Sequence, residues 1–245
     1  MSGKVNLKKL TLLLLIPVVL VGIYFLSTGN QQNSLCKGVE INISHKTEQA
    51  LLSEMDIYKM LGYPMGEKSF VGKNSGDLDI NSMEKRLEKY KTIQKAEIYM
   101  GISGNLIIEI SERNPVVRVI PDGKPGYYIC EDRVKIPLSA NFTPDLIPAT
   151  GFMNDLIDRK LHAVVGFVNN NSFWKDQIEQ FFVSANGDIS FIPFSGVHEV
   201  ILGDTTDMDE KFKRLDVFYK KGLSKIGWDK YKTVNLKFKG QVICK

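Results

Sequence analysis

Leu10–Leu26 reads LTLLLLIPVVLVGIYFL, and no charged residue occurs between Lys9 and Lys37. An uncharged stretch of this length crosses a hydrocarbon core of roughly 30 Å as a single helix. Lys4, Lys8 and Lys9 precede it, and the first acidic residue is Glu40. By the positive-inside rule the tail 1–9 stays in the cytoplasm and everything after the span is exported. Two other readings fit less well. A cleaved signal peptide wants a shorter apolar region and an A-x-A-like site, which Ser27-Thr28-Gly29 does not supply. A buried helix of a soluble domain would be weakened by Pro17 and Gly22, which membrane helices tolerate. The expectation is an uncleaved span over 10–29 and a linker over 30–37, with the polar run NQQNS at its start.

The chain carries a formal net charge of +4, and the three tail lysines account for most of it. The nearly neutral exported body lacks the basic stripe of a nucleic-acid binder, so no nucleic-acid partner is expected. Lys211, Lys213 and Arg214 stand beside Asp209, Glu210 and Asp216 and read as a solvated helix face. Cys36, Cys130 and Cys244 are odd in number and widely spaced, which is not a disulfide framework. Cys130 falls in a predicted strand, as a small core residue. Pairing of Cys130 with Cys244 depends on a Cα separation that sequence does not give.

Outward from the span, Val39, Ile41 and Ile43 alternate with polar residues as a half-buried strand does. Ser53 with Asp56 predicts a capped helix that ends near Gly62-Tyr63-Pro64. Asn81 with Glu84 predicts a second, carrying Ile80, Met83, Leu87 and Tyr90 on one side. Two alternating runs around Ser103-Gly104-Asn105 then read as a hairpin. From Pro115 the pattern changes to short strands, with a helix starting at Asn154 or Asp155 and a short one at Ser172 holding Phe173, Trp174 and Ile178. Asn186-Gly187 marks another hairpin. Asp207 with Glu210 predicts a helix closed by Lys220, Lys221 and Gly222. Thr233–Phe238 alternates as a last strand, with Val234, Leu236 and Phe238 on its inner face. The predicted class is α+β: the single transmembrane helix, a β-α-α-β-β domain over 38–113, and a strand-rich α+β domain over 114–245.

Catalytic signatures are missing. His45, His162 and His198 lie in no metal-binding spacing, and no nucleophile elbow or phosphate loop occurs. No catalytic residue, metal or cofactor is expected, and the protein reads as a non-enzyme. Expected partners are proteins and the membrane.

The order of these features resembles the FtsQ/DivIB family of bitopic division proteins with a POTRA domain, most closely its Bacteroidetes-type forms. The likeness runs through Asp56-Ile57, Met83-Glu84-x-x-Leu87, Ala96-Glu97-Ile98-Tyr99, Gly104-Asn105-Leu106 and Arg113-Asn114-Pro115-Val116. Tyr127-Tyr128-Ile129, Ile136-Pro137-Leu138-Ser139, Phe173-Trp174, Lys211-Phe212-x-x-Leu215 and Asn235-Leu236-x-Phe238-x-Gly240-Gln241-Val242 continue it. The resemblance implies a scaffold in the bacterial inner membrane, N-terminus cytoplasmic and C-terminal domains periplasmic, at the division septum. It implies FtsB-like and FtsL-like bitopic partners and a link to the septal synthases FtsW and FtsI. It also implies that an FtsB segment adds as a strand at Lys232, Thr233, Val234, Asn235, Leu236, Lys237 and Phe238. Family members often carry a Tyr where Thr233 stands, so Trp228 and Tyr231 are candidate aromatic anchors, or else pack on the preceding helix. Lys232, Lys237 and Lys239 suit either protection of an open edge or attraction of an acidic strand. The alternative is a POTRA-containing envelope protein for outer-membrane protein assembly or secretion.

Overall fold

The structure, a computed structural model, describes residues 35–194 and 198–245, so the predicted span Leu10–Leu26 lies outside the described residues. Among the described residues no helix is long and apolar enough to cross a membrane. The chain divides into two compact units, one built from residues up to Ser44 with Leu52–Ser111, the other from His45–Leu51 with Glu112–Lys245.

The first unit runs β1 (Gly38–Ser44), α1 (Glu54–Leu61), α2 (Ile80–Leu87), β2 (Ile93–Met100) and β3 (Asn105–Glu112), with short 3₁₀ turns between the helices. The sheet order is β1-β3-β2, and β1 pairs in parallel with β3. Alternation points Leu106, Ile108 and Ile110 at Ile57, Leu61, Met83 and Leu87 of the two helices. Ser53 and Asp56 form the reciprocal cap at the start of α1, and Gly62 ends it at φ 80. The second cap differs from expectation. Asp79, not Asn81, receives the Ser82 N–H at 3.0 Å, because α2 begins two residues earlier, at Ile80. Glu84 accepts instead from the Ile98 N–H at 2.7 Å and fastens the helix to β2.

In the second unit the elements are β4 (Pro115–Pro121), β5 (Tyr127–Cys130), β6 (Lys135–Pro137), β7 (Pro148–Gly151), α3 (Asp155–Asn169), α4 (Ser172–Lys175), β8 (Ile178–Val183), β9 (Ile189–Pro193), β10 (Glu199–Gly203), α5 (Met208–Phe218), α6 (Ser224–Ile226), β11 (Thr233–Asn235) and β12 (Ile243–Cys244). They build one nine-stranded mixed sheet ordered β12-β11-β10-β9-β8-β7-β4-β5-β6. β7 and β8 are parallel, as are β10 and β11. These two pairs need crossovers, which α3–α4 and α5 supply, while a third parallel pair, β4 with β7, is joined through β5 and β6. The crossover helices bury Leu161, Val165, Phe212 and Leu215 with Val117, Phe181, Phe191 and Val200 of the strands. Ile178 opens β8 rather than closing the short helix, since the chain needs it in the sheet core. The last helix does not stop at Gly222: a π turn over Tyr219–Leu223 carries it into α6, and Gly227 at φ 100 ends it.

Period-2 alternation sends Ile129 to the helix-covered core and its neighbours Tyr128 and Cys130 to a smaller cluster with Leu51 and Ile136. Leu51 is held at every group. Its N–H donates to the buried Glu112 carboxylate at 2.9 Å, and its carbonyl accepts from Ser139 Oγ and Asn141 Nδ2 at 2.5 and 2.9 Å. The segment 45–51, expected inside the first domain, thus packs as part of the second unit. β5 and β12 stand seven strand spacings apart, on the order of 30 Å at about 4.8 Å each. That separation rules out a Cys130–Cys244 bond, and all three thiols are free.

Leu51→Ala in the full chain should lower the unfolding free energy of the second unit by about 2–5 kcal/mol. It should also make Cys130 reactive to a thiol reagent while amide exchange of Leu106–Ile110 stays slow. A Cys130 that stays unreactive would show that Leu51 does not close this cluster.

Candidate functional site

Backbone hydrogen bonding decides where the C-terminal edge lies. β11 is flanked on one side by β10 and on the other by β12. Leu236 N–H donates to the Ile201 carbonyl at 2.9 Å, and Thr233 and Lys245 exchange both bonds at 3.1 Å. Lys232 N–H also donates to the Lys245 carbonyl, at 2.7 Å. Lys232–Leu236 therefore lies inside the sheet, which corrects the expectation of one free strand from Thr233 to Phe238. The physical reason is a reversal. Gln241 N–H donates to the Phe238 carbonyl at 3.3 Å, Gly240 adopts φ 69, and the chain returns alongside itself. β12 is the outermost strand on this side. Because Thr233 and Lys245 exchange both bonds, antiparallel alternation turns the N–H and carbonyl of Cys244 away from β11, toward the open side.

The other sequence-selected residues fall in different environments. Val234 and Leu236 are fully buried, whereas Phe238 is 51% exposed, so Phe238 is not the core residue that alternation implied. Lys237 is committed: its Nζ pairs with Asp188 at 2.6 Å, and its stem lies where a Cβ on Gly203 would come within 2.7 Å of its Cγ. Asn235 Oδ1 accepts from the Lys237 N–H at 3.0 Å. Trp228 meets the Tyr219 ring at 5.1 Å, and Tyr231 meets Phe218 at 6.3 Å. Both candidate anchors thus pack one face on their own helical segment, while Trp228 keeps 37% exposure. Tyr219 Oη is 2.8 Å from Nε2 of the buried His198; burial lowers the pKa of this histidine and raises that of the tyrosine.

Arg214 holds the return. Its guanidinium donates to the carbonyls of Leu236 at 3.1 Å, Phe238 at 2.7 Å and Gln241. Lys211 is buried as well and donates to the Asp204 carbonyl and carboxylate at 3.0 and 2.8 Å. Those bonds, with help from Thr206, hold the Asp204 carboxyl down at about 2. Two of the three basic residues read as a solvated face therefore point inward. The expected cap is absent too: Asp207 sits at φ 51 with no side-chain cap, and Asp204 receives Thr206 instead. Beside the return, Val217, Phe218 and Val242 line a groove of about 510 Å³ together with Lys213, Arg214, Lys221 and one acid, Glu210. Arg214 and β12 escaped the sequence reading. The apolar alternation of Val242 and Cys244 behind Gly240 was the available signal.

Among the described residues no group of three or more His, Cys, Asp or Glu is placed to hold a metal. A family model described as FtsQ/DivIB, C-terminal related, matches residues 114–245, more than half of the chain. A second, described as a POTRA-like domain, matches residues 34–111. No curated protein matches the chain.

Arg214→Ala removes three charge-assisted bonds to carbonyls, each worth about 1.5–3 kcal/mol when desolvated and less at this partly exposed site. Amide exchange should accelerate at Thr233, Lys245 and Leu236 at least tenfold, with β8 and β9 unchanged. Equal protection in variant and parent would show that the return holds without the guanidinium.

Proposed function

This chain belongs to the FtsQ/DivIB family of cell-division proteins, and from that premise we propose that it is a non-enzymatic bitopic scaffold of the divisome. In this reading residues 10–29 anchor it in the inner membrane, its two units lie in the periplasm at the septum, and it docks FtsB-like and FtsL-like partners. Through them it links early division proteins to the septal synthases FtsW and FtsI. The observation that carries the reading is the open edge at β12, where Cys244 turns both backbone polar groups outward beside a groove with apolar walls and three basic residues against one acid, Glu210. An extended partner segment gains main-chain hydrogen bonds on such an edge. The groove offers apolar contact to what precedes or follows that segment, and Lys213 and Lys221 favour acidic side chains.

The corrected edge changes the decisive substitution. Proline is tolerated on an edge strand where its missing N–H faces solvent, so Cys244→Pro should leave the fold intact and block the partner strand. Capture of an FtsB-like partner should weaken at least tenfold, with an unshifted urea midpoint, and cells should filament. Asn235→Pro, which strikes a strand paired on both sides, should instead unfold the edge. Normal septation and full partner capture by a folded Cys244→Pro chain would overturn the docking edge.

The topology is tested separately. A reporter active only outside the cytoplasm, fused after Lys245, should be active, and the chain should resist carbonate extraction. A silent fusion, or a soluble mature chain lacking about the first thirty residues, would remove the anchor.

A further inference from the structure

Resting on the membrane anchor proposed above, one end of the first unit acquires a specific neighbour. Three segments meet there through backbone bonds. Cys36 N–H donates to the Lys73 carbonyl and Gly72 N–H to the Cys36 carbonyl, both at 2.8 Å, and Lys37 N–H donates to the Gly104 carbonyl at 2.9 Å. Leu35 bridges to Asn74. Each segment presents an exposed apolar side chain: Leu35 is 60%, Val71 48% and Ile102 107% exposed.

Ile102 is the sharpest of these. It tips the β2–β3 hairpin, whose turn is closed by Gly101 N–H to Asn105 and Gly104 N–H to Gly101 at 2.8 and 2.9 Å, with Gly104 at φ 86. Such a tip favours Asn, Asp, Ser or Gly, which satisfy the backbone or accept positive φ. A wholly exposed isoleucine contributes nothing to the core of this unit. Two lysines accompany the apolar residues. Lys37 is exposed and lays its stem over Gly104, where an added Cβ would be 3.2 Å from its Cδ. Lys73 sits with its Nζ 5.0 Å from the Tyr63 ring. The nearby Glu67 carboxylate accepts from the Val39 N–H at 3.2 Å.

The length of chain outside the described residues identifies the occupant. Only STGNQQNS, residues 27–34, separates the apolar span from Leu35. Fully extended, that connection reaches at most about 30 Å, so this end of the unit stays beside the bilayer surface. Apolar side chains flanked by lysines are the composition that binds an anionic interface. We propose that this end of the first unit is a lipid-contact face, which seats Ile102, Leu35 and Val71 among the headgroups of an anionic bilayer with Lys37 and Lys73 against lipid phosphates.

The test uses the full chain reconstituted in phosphatidylglycerol-containing vesicles with brominated acyl chains. Ile102→Trp adds a reporter at the tip, and the parent, with Trp174 and Trp228, supplies the background. An unshifted urea midpoint verifies that the exposed substitution leaves the fold alone. Bromine quenching should exceed that of the parent at least twofold. It should fall by half or more when Lys37→Glu is added or phosphatidylcholine replaces the anionic lipid. Quenching equal to the parent, in a chain that floats with the vesicles and resists carbonate, would overturn the lipid face and leave the anchor standing. An emission that shifts to the blue with protein concentration but ignores bromine would assign the face to a second copy, and likewise overturn it. A chain that does not float would remove the anchor, and the lipid face with it.

Discussion

Phe212 is the contact on which the second unit depends. Its ring stacks on Phe191 of β9 at 5.8 Å, meets Trp174 at 5.1 Å and lies 5.0 Å from Phe167 of α3. One side chain of α5 thereby ties both crossover connections to the middle of the sheet. Aromatic pairs of this kind contribute about 0.5–1.5 kcal/mol each beyond the area they bury. The position of α5 in turn fixes where Arg214 emerges, two residues along, and so where the C-terminal return is caught. A shift of α5 across the sheet would move the clamp away from the carbonyls it holds.

Terminal segments fray unless something ties them down. Here the tie is a guanidinium that donates to three carbonyls, with the Glu210 carboxylate 3.8 Å from its Nε. Lys232, Lys239 and Lys245 are exposed on the same segment and give the edge its positive sign. Edge strands are commonly blunted by shortness and by lysine; β12 is two residues long and Lys245 follows it directly. On the docking reading the same two features suit a selective edge. A two-residue strand offers too little ladder to recruit arbitrary chains, whereas a partner that also fills the adjoining groove and answers the basic charge gains enough to hold. A pre-ordered edge also spares the partner the entropy of arranging it.

How much of this was legible in the sequence follows from the range of each signal. The cap at Ser53 and Asp56, the stop at Gly62 and the turn at Asn186-Gly187 are fixed by residues within four positions of one another, and each stands where the pattern placed it. Period-2 alternation likewise located β1, β3 and β4. The misses share a different cause. Asp79 displaced Asn81 because both residue types cap well, and the choice was made by the start of the apolar face at Ile80. Lys211 looks like a surface charge until Asp204, seven residues before it, turns back to meet it, and Arg214 until the carbonyls of Leu236, Phe238 and Gln241 arrive from a distant part of the chain. The candidate edge failed in the same way. Alternation correctly buried Val234 and Leu236, but only the return at Gly240 decides that Phe238 leaves the sheet and that Ile243–Cys244 covers the strand. Most cap and turn chemistry was readable; pairings that depend on where the chain turns back on itself were not.

Three unpaired thiols in a chain proposed to leave the cytoplasm would invite oxidation unless the fold suppresses them. The nucleophile is the thiolate, so reactivity falls as the thiol pKa rises or access closes. Burial pushes the Cys130 thiol up to about 12 and raises that of Cys244. Cys36 is 1% exposed, with its Sγ–H directed to the Gly38 carbonyl at 3.2 Å. Cys130 and Cys36 are further closed in by neighbours from other segments, Leu51 over the one and Phe70 and Leu78 in the same core as the other. Cys244 packs against the helix-covered core but stays only half-buried, on the outermost strand. On the docking reading a strand added at β12 would pair with the Cys244 backbone and restrict access to its sulfur. The thiol that the fold encloses least is therefore the one that a bound partner would shield.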